Sequence, residues 1–204
     1  MAFSKIDIIN NGLIKIGDYI ITDVDDGTKQ ATYASKCWNM IRDTLLREYN
    51  WNFATRRVEL SLAAGVSPVW NYDNYYGLPT DYLKDHCIAA GTSATFDWSD
   101  TYEYKIETYS GATVYLTTNE DPPMYLKYTA QITGTSTWTP SFCEIMSCRV
   151  AKYTGTALAA LSQADRQMLI EDEAEAIAKA KGIEFEEGTD DPIGYYEMTY
   201  CRDN

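Results

Sequence analysis

A chain of 204 residues with thirty acids against seventeen bases carries a formal net charge of −13. That balance argues against a nucleic-acid-binding module, which needs clustered Lys and Arg to displace counterions from phosphate. A hydrophobic content of 45% is that of a globular protein, and no run approaches the roughly 18 apolar residues of a membrane span. The start, Met1 to Asp7, lacks the basic residues and apolar stretch of a signal peptide, so a cytoplasmic site of folding is expected. Five cysteines (Cys37, Cys87, Cys143, Cys148 and Cys201) show no paired spacing, and His86 is the single histidine. Zinc would find little to hold it, and neither a metal nor a cofactor is expected. Acidity permits a wet passage that repels DNA rather than binding it, and equally simple solubility. Seventeen tyrosines suit interfaces or half-exposed sheet faces, and a carbohydrate-binding sheet would be similarly aromatic.

In chain order, Ser4 and Asp7 form a capping box before a first helix with Ile8, Ile9, Leu13 and Ile16 as its apolar stripe. Asn10-Asn11-Gly12 weakens its middle, and Gly17 is placed to end it. Asp23, Asp25 and Asp26 cluster ahead of a second helix, which Asp25 or Asp26 is expected to cap. A calcium loop would need more ligands and a closing glutamate. The second helix, about 28–49, is the best-defined element: Ala34, Cys37, Trp38, Ile41, Leu45 and Tyr49 share one face. Trp51 and Phe53 then have the bulk to fill a seam between a helical and a sheet layer. Arg56 and Arg57 follow, either paired with carboxylates or bridging to a neighbouring subunit.

Alternation of Val58, Leu60 and Leu62 begins a strand region. Residues 63–76 read as a loop or loose hairpin, and Gly77 to Asp81 as a turn. Strands are then expected through His86, Ile88 and Ala90; Tyr102, Tyr104 and Ile106; Val114 and Leu116; and Met124, Leu126, Tyr128 and Ala130. Tyr109 to Ala112 is a hairpin signal. Short turns between them imply antiparallel pairing of consecutive strands. A third helix opens at Thr139-Pro140 or at Ser141-x-x-Glu144, burying Phe142, Ile145, Val150 and Tyr153. Ser162 and Asp165 cap a fourth, with Leu169, Ile170, Ala174, Ile177 and Ala178 inward, its acids solvated, Glu175 paired to Lys179, and Gly182 as its stop. The fold class is therefore α+β: a bundle of about four helices (1–50 and 139–182), an inserted antiparallel β-domain (51–138) and an extended C-terminal tail (183–204). In that tail Ile193, Tyr195, Tyr196, Met198 and Tyr200 are candidate anchors to a partner, beside Arg56 and Arg57.

No catalytic constellation stands out. Any triad must use His86, the glycines are isolated turn residues rather than a phosphate loop, and paired carboxylates would be sought first among Glu59, Asp81, Glu103 and Glu107. The chain is expected not to be an enzyme.

Two motifs carry a family likeness: Trp51-x-Phe53-Ala54-x-x-Arg57-x-x-Leu60, then Tyr75-Tyr76-x-Leu78-Pro79-x-Asp81-Tyr82-Leu83. In this order, after a long helix, they resemble the tail tubular protein A family, the head-to-tail adaptors of short-tailed bacteriophages; the final twenty or so residues match no motif. The resemblance implies a structural virion protein at the head–tail junction, forming a ring usually of twelve copies. It further implies the portal protein and the tail nozzle or next tail protein as partners, with genomic DNA passing through the lumen unbound and no membrane involved. The alternative is a glycan-binding or peptidoglycan-hydrolysing phage tail protein.

Overall fold

The computed structural model describes residues 3–66, 71–91, 102–109, 113–159 and 161–187. Four α-helices and six strands make an α+β protein: α1 (Lys5–Lys15), α2 (Lys29–Glu48), β1 (Thr55–Leu60), β2 (Asn74–Gly77), β3 (Tyr82–Ala90), β4 (Tyr104–Tyr109), β5 (Thr113–Thr118), β6 (Met124–Ala130), α3 (Pro140–Leu158) and α4 (Gln163–Glu187). Over the described residues the contacts divide into a helical unit, 3–53 with 132–187, and a sheet unit, 54–131.

In the helical unit α3 is the central element, touching α1, α2 and α4. Its residues from Ile145 to Ala151 are all buried, which is what a helix enclosed on most sides requires. Thr139 caps it by accepting from the Phe142 N–H at 3.3 Å, with Pro140 in the first turn. Tyr153, expected to be buried, points outward.

The capping box of α1 forms as its sequence dictates: Asp7 N–H donates to Ser4 Oγ and Ser4 N–H to Asp7 Oδ2. Gly17, at φ 69°, provides the left-handed residue that ends the helix. The Asn10-Asn11-Gly12 run leaves α1 unbroken, with Asn10 and Gly12 each serving a tertiary contact and Asn11 exposed. Asn10 donates its amide to Ile21 O at 3.0 Å and accepts from Ile21 N–H at 2.9 Å, folding the following loop back along the helix. Gly12 lies where α1 crosses α3, and a Cβ there would sit 2.8 Å from Ser147 O and 3.0 Å from Val150 Cγ1.

The cap of α2 is Thr28, not Asp25 or Asp26. Thr28 Oγ1 accepts from Ala31 N–H, while Asp26 accepts from both the N–H and hydroxyl of Thr28, so the acid orients the cap instead of being it. Ala31, Ala34, Trp38, Ile41, Leu45 and Leu46 form the buried face, and Tyr49 is the C-cap residue. Trp51 and Phe53 pack inside the helical unit: their rings meet Phe142 at centroid distances of 5.0 and 5.1 Å, and Trp51 Nε1 donates to Leu45 O.

Helix α4 starts at the predicted Ser162–Asp165 box but differs in two respects. Leu169, Glu173, Ala176 and Ala180 face inward, while Ile170, Ala174 and Ala178 are exposed and Ile177 is half-buried. Gly182 also fails to stop the helix, so residues 183–187 of the predicted extended tail are helical. A glycine inside a helix costs about 1 kcal/mol, and the last turn is held by Asn52, whose N–H donates to Glu184 Oε2 at 2.8 Å and whose side-chain amide donates to Glu184 O at 3.0 Å. The rest of the tail lies outside the described residues.

The sheet unit has two three-stranded antiparallel sheets, ordered β1-β6-β3 and β2-β5-β4. Among the described strands only β4 and β5 pair as consecutive elements, apart from a bridge between Leu62, just after β1, and Tyr76 of β2; the expected run of neighbouring hairpins is replaced by longer-range pairing, with β6 central in its sheet. That strand is paired along both edges and buried at six of seven positions. The sheets are stitched by Asp85 on β3, which accepts from Tyr82 Oη at 2.8 Å and from Tyr104 Oη of β4 at 2.6 Å. Burial first, and then the bond to Asp85, raise the Tyr104 phenol's pKa.

Gly12→Val should lower unfolding stability by about 3 kcal/mol through overpacking at the α1–α3 crossing, whereas Gly182→Ala, with nothing within 4 Å, should raise it by about 0.5–1 kcal/mol. Denaturant unfolding of the two variants measures both. Asp7, Asp26 and Asp165 are held below the usual carboxylate range by hydrogen bonds from Ser4, Thr28 and Ser162. Depressed folded pKa values mean a contribution complete above the unfolded value and lost as pH falls through the folded one. Urea unfolding across the acid range should therefore show a shallower acid loss in Asp7→Asn and Asp165→Asn than in the parent chain.

Candidate functional site

The two family-like motifs lie on the framework of the fold. Trp51, Ala54, Leu60, Tyr75 and Tyr76 are buried. Ala63 N–H donates to Tyr75 O at 2.8 Å and Gly77 N–H to Ser61 O at 3.1 Å, so the stretch after β1 pairs with β2. Arg56 Nη1 donates to Asp81 Oδ2 at 2.5 Å, and Tyr128 Oη donates to Asp81 Oδ1 at 3.0 Å. Arg56 is thus carboxylate-paired, and Arg57 is exposed on the same strand. Ile193, Tyr195, Tyr196, Met198 and Tyr200 lie outside the described residues.

The groups that could carry chemistry are spread out or occupied. Asp81 is held by a cation and a phenol. Glu59 and Glu103 are exposed, and Glu107 accepts from Thr117 Oγ1 at 3.2 Å. His86 Nε2 lies 2.7 Å from Thr129 Oγ1, but Thr129 is fully buried and presents no hydroxyl to a substrate. Cys37, Cys87, Cys143 and Cys148 are free thiols, and burial pushes Cys143 up to about 11, far from thiolate reactivity at neutral pH. Among the described residues no group of three or more His, Cys, Asp or Glu is arranged to hold a metal, and no helix is long and apolar enough to cross a membrane.

The helical unit offers surfaces instead. A groove of about 240 Å³ is lined by Tyr49, Asn50, Trp51, Lys181 and Glu184. Lys181 Nζ stands 4.4 Å over the Tyr49 ring, and desolvation raises the Glu184 carboxyl against the opposing effect of the Asn52 N–H. These contacts fasten the end of α4 to the segment after α2. Exposed large apolar side chains on this unit include Phe3 before α1; Ile14, Tyr19 and Ile20 around its end; Tyr33 and Met40 on α2; Tyr153 on α3; and Met168, Ile170 and Ile183 on α4. Tyr19 is 85% exposed. Grouped exposed apolar side chains are the usual sign of an interaction surface. They form the candidate site, a set of exposed apolar surfaces on the helical unit.

No protein-family model matches the chain, and a search of curated proteins returns no match.

One feature escaped sequence reasoning. Arg149, 7% exposed at the middle of α3, donates Nε to Glu173 Oε1 of α4 at 2.8 Å and Nη1 to Glu48 Oε1 of α2 at 3.2 Å, with a second bond from Nη2 to Glu48; Lys152 also pairs with Glu173. Glu173, expected on a solvated acidic face, is 6% exposed. The available signal was an arginine inside an otherwise apolar run, which calls for a buried acid. Arg149→Leu should cost about 3–5 kcal/mol by leaving Glu173 buried with a weakened partner set, and adding Glu173→Leu should recover much of that loss. Chemical denaturation of the single and double variants tests this; an additive double variant would mean that the pair is not coupled.

Proposed function

We propose that this protein is a structural head-to-tail adaptor of a short-tailed bacteriophage. It assembles as a ring of about twelve copies between the portal and the tail nozzle or next tail protein, and provides a channel for DNA ejection. The observation that carries this reading is the pair of motifs, Trp51 to Leu60 and Tyr75 to Leu83, in the order found in tail tubular protein A adaptors. Three features support it. The motif positions build the framework of the fold, as expected where a family likeness reflects architecture rather than catalysis. The helical unit exposes apolar side chains at several places, which suits packing between copies. The net charge of −13 suits a conduit that repels phosphate. In this reading the C-terminal stretch with Ile193, Tyr195, Tyr196, Met198 and Tyr200 engages the portal, while Arg56 and Arg57 lie towards a neighbouring subunit.

The test is native mass measurement of the full chain alone and mixed with the portal ring of the phage that encodes it. A twelve-copy increment on the portal, lost on deletion of residues 188–204, is the expected result. A chain that never joins the portal and instead binds cell-wall glycan would replace the adaptor reading with that of a glycan-binding tail protein.

A further inference from the structure

Helices α2 and α4 both pack on α3, and each turns a second organised face to solvent. On α2 the residues at 29, 33, 36, 40, 44 and 47 recur at helical spacing and are all exposed. They are Lys29, Tyr33, Lys36, Met40, Thr44 and Arg47, opposite the buried Ala34, Trp38, Ile41 and Leu45. Lys29, Lys36 and Arg47 make no ion pair among the described residues. In an acidic protein this face is cationic with an apolar centre.

On α4 the outward stripe is Ile170, Ala174 and Ala178 with the half-buried Ile177 at its edge, the periodic apolar set that would ordinarily be buried. The Glu173–Arg149 pair holds the helix rotated so that this stripe is left at the surface. Beside it stand Glu171 and Glu175, both exposed. Glu175 pairs with Lys179 at 2.7 Å with both side chains 67% exposed, and Glu171 accepts from Gln167 at 3.0 Å. Exposed pairs of this kind are worth little and exchange easily. This face carries Glu171 and Glu175 beside an apolar centre, with the exposed Lys179 and Lys181 towards its C-terminal end, and alanines at 174 and 178 allow a close helix approach.

The two faces complement each other in charge and apolar content, and within one chain both are exposed. We propose that α4 of one copy docks along α2 of the next, with Ile170, Ala174 and Ala178 against Tyr33 and Met40, and Glu171 and Glu175 against Lys36 and Arg47. Each copy uses two different patches, so the contact is head-to-tail and propagates, giving a ring where the rotation between copies closes and an open filament where it does not. The 20 residues of α2 offer an edge of about 30 Å for it. This pairing deepens the ring reading above and rests on it for closure.

Sedimentation velocity of the full chain and two charge-reversed variants provides the test. One variant carries Lys36→Glu with Arg47→Glu; the other carries Glu171→Lys with Glu175→Lys. The wild type should self-associate, and each variant alone should associate about a hundredfold more weakly. An equimolar mixture should regain assembly, because reversed α4 faces meet reversed α2 faces and native faces meet native ones. All substituted positions are exposed, and matching circular dichroism checks that the variants fold. As an independent measurement, mixing Met40→Cys and Ala174→Cys chains should give an oxidised cross-linked pair that neither chain forms alone.

A wild type that stays monomeric to its solubility limit, variants that assemble as well as wild type, or a mixture that remains dissociated would each overturn the pairing. So would duplex DNA binding by the α2 face combined with failure of the mixture to assemble. Self-association through these faces by a chain that never joins a portal leaves the pairing standing and removes the adaptor reading. Portal docking that is unaffected by charge reversal does the opposite.

Discussion

A guanidinium buried among helices sets the terms for the helical unit. Arg149 cannot be deprotonated at any relevant pH, so every helix that covers it must either supply an acid or leave a charge unpaired. Glu48 comes from the last turn of α2 and Glu173 from near the middle of α4. The requirement fixes where α2 ends relative to α3 and the rotation of α4 about its own axis. The remaining buried groups on α4, Leu169, Ala176 and Ala180, are few and mostly small. Packing alone would therefore select the face of this helix weakly, and the ion pair decides it. Buried pairs contribute less to net stability than to choosing one arrangement, and here the arrangement leaves an apolar stripe outside.

The sheet unit follows a comparable logic with different chemistry. Asp85 and Asp81 each gather partners from more than one element: two tyrosines for the first, an arginine and a tyrosine for the second. Many tyrosines of this unit thus face inward with the hydroxyl engaged, as with Tyr76, whose Oη donates to Glu120 O. The hydroxyls of Tyr76, Tyr82, Tyr104 and Tyr128 each join separate segments of this unit or brace a strand. Among the described residues most exposed large apolar side chains lie on the helical unit, with Leu62 and Val114 exposed on the sheet unit.

Local signals were readable where the cause was local. Ser4 with Asp7, Ser162 with Asp165 and Gly17 are each decided within one turn, and the alternation of Met124, Leu126, Tyr128 and Ala130 marks β6. Errors arose where a distant residue decides. The inward face of α4 follows from Arg149 and not from the hydrophobic period, so Ile170 and Ala174 were placed inside and Glu173 outside. Gly182 looks like a stop because its override, Asn52, is far away in sequence. The pairing of β6 with both β1 and β3 leaves no local trace, since strand alternation specifies faces but not neighbours. Among the candidate contact residues, Arg56 was legible as an arginine that would find a carboxylate, whereas its partner Asp81 required the fold.

The register of β1 on β6 has a consequence for how such a chain can vary. Thr55 stands opposite Thr129, so the point where the chain leaves the helices and the point where it returns are adjacent rungs of one ladder. Seventy-odd residues of the sequence lie between those two rungs. Length and content can change inside that insertion without altering the spacing between α2 and α3. The helical and sheet units are therefore free to diverge at different rates within a single gene.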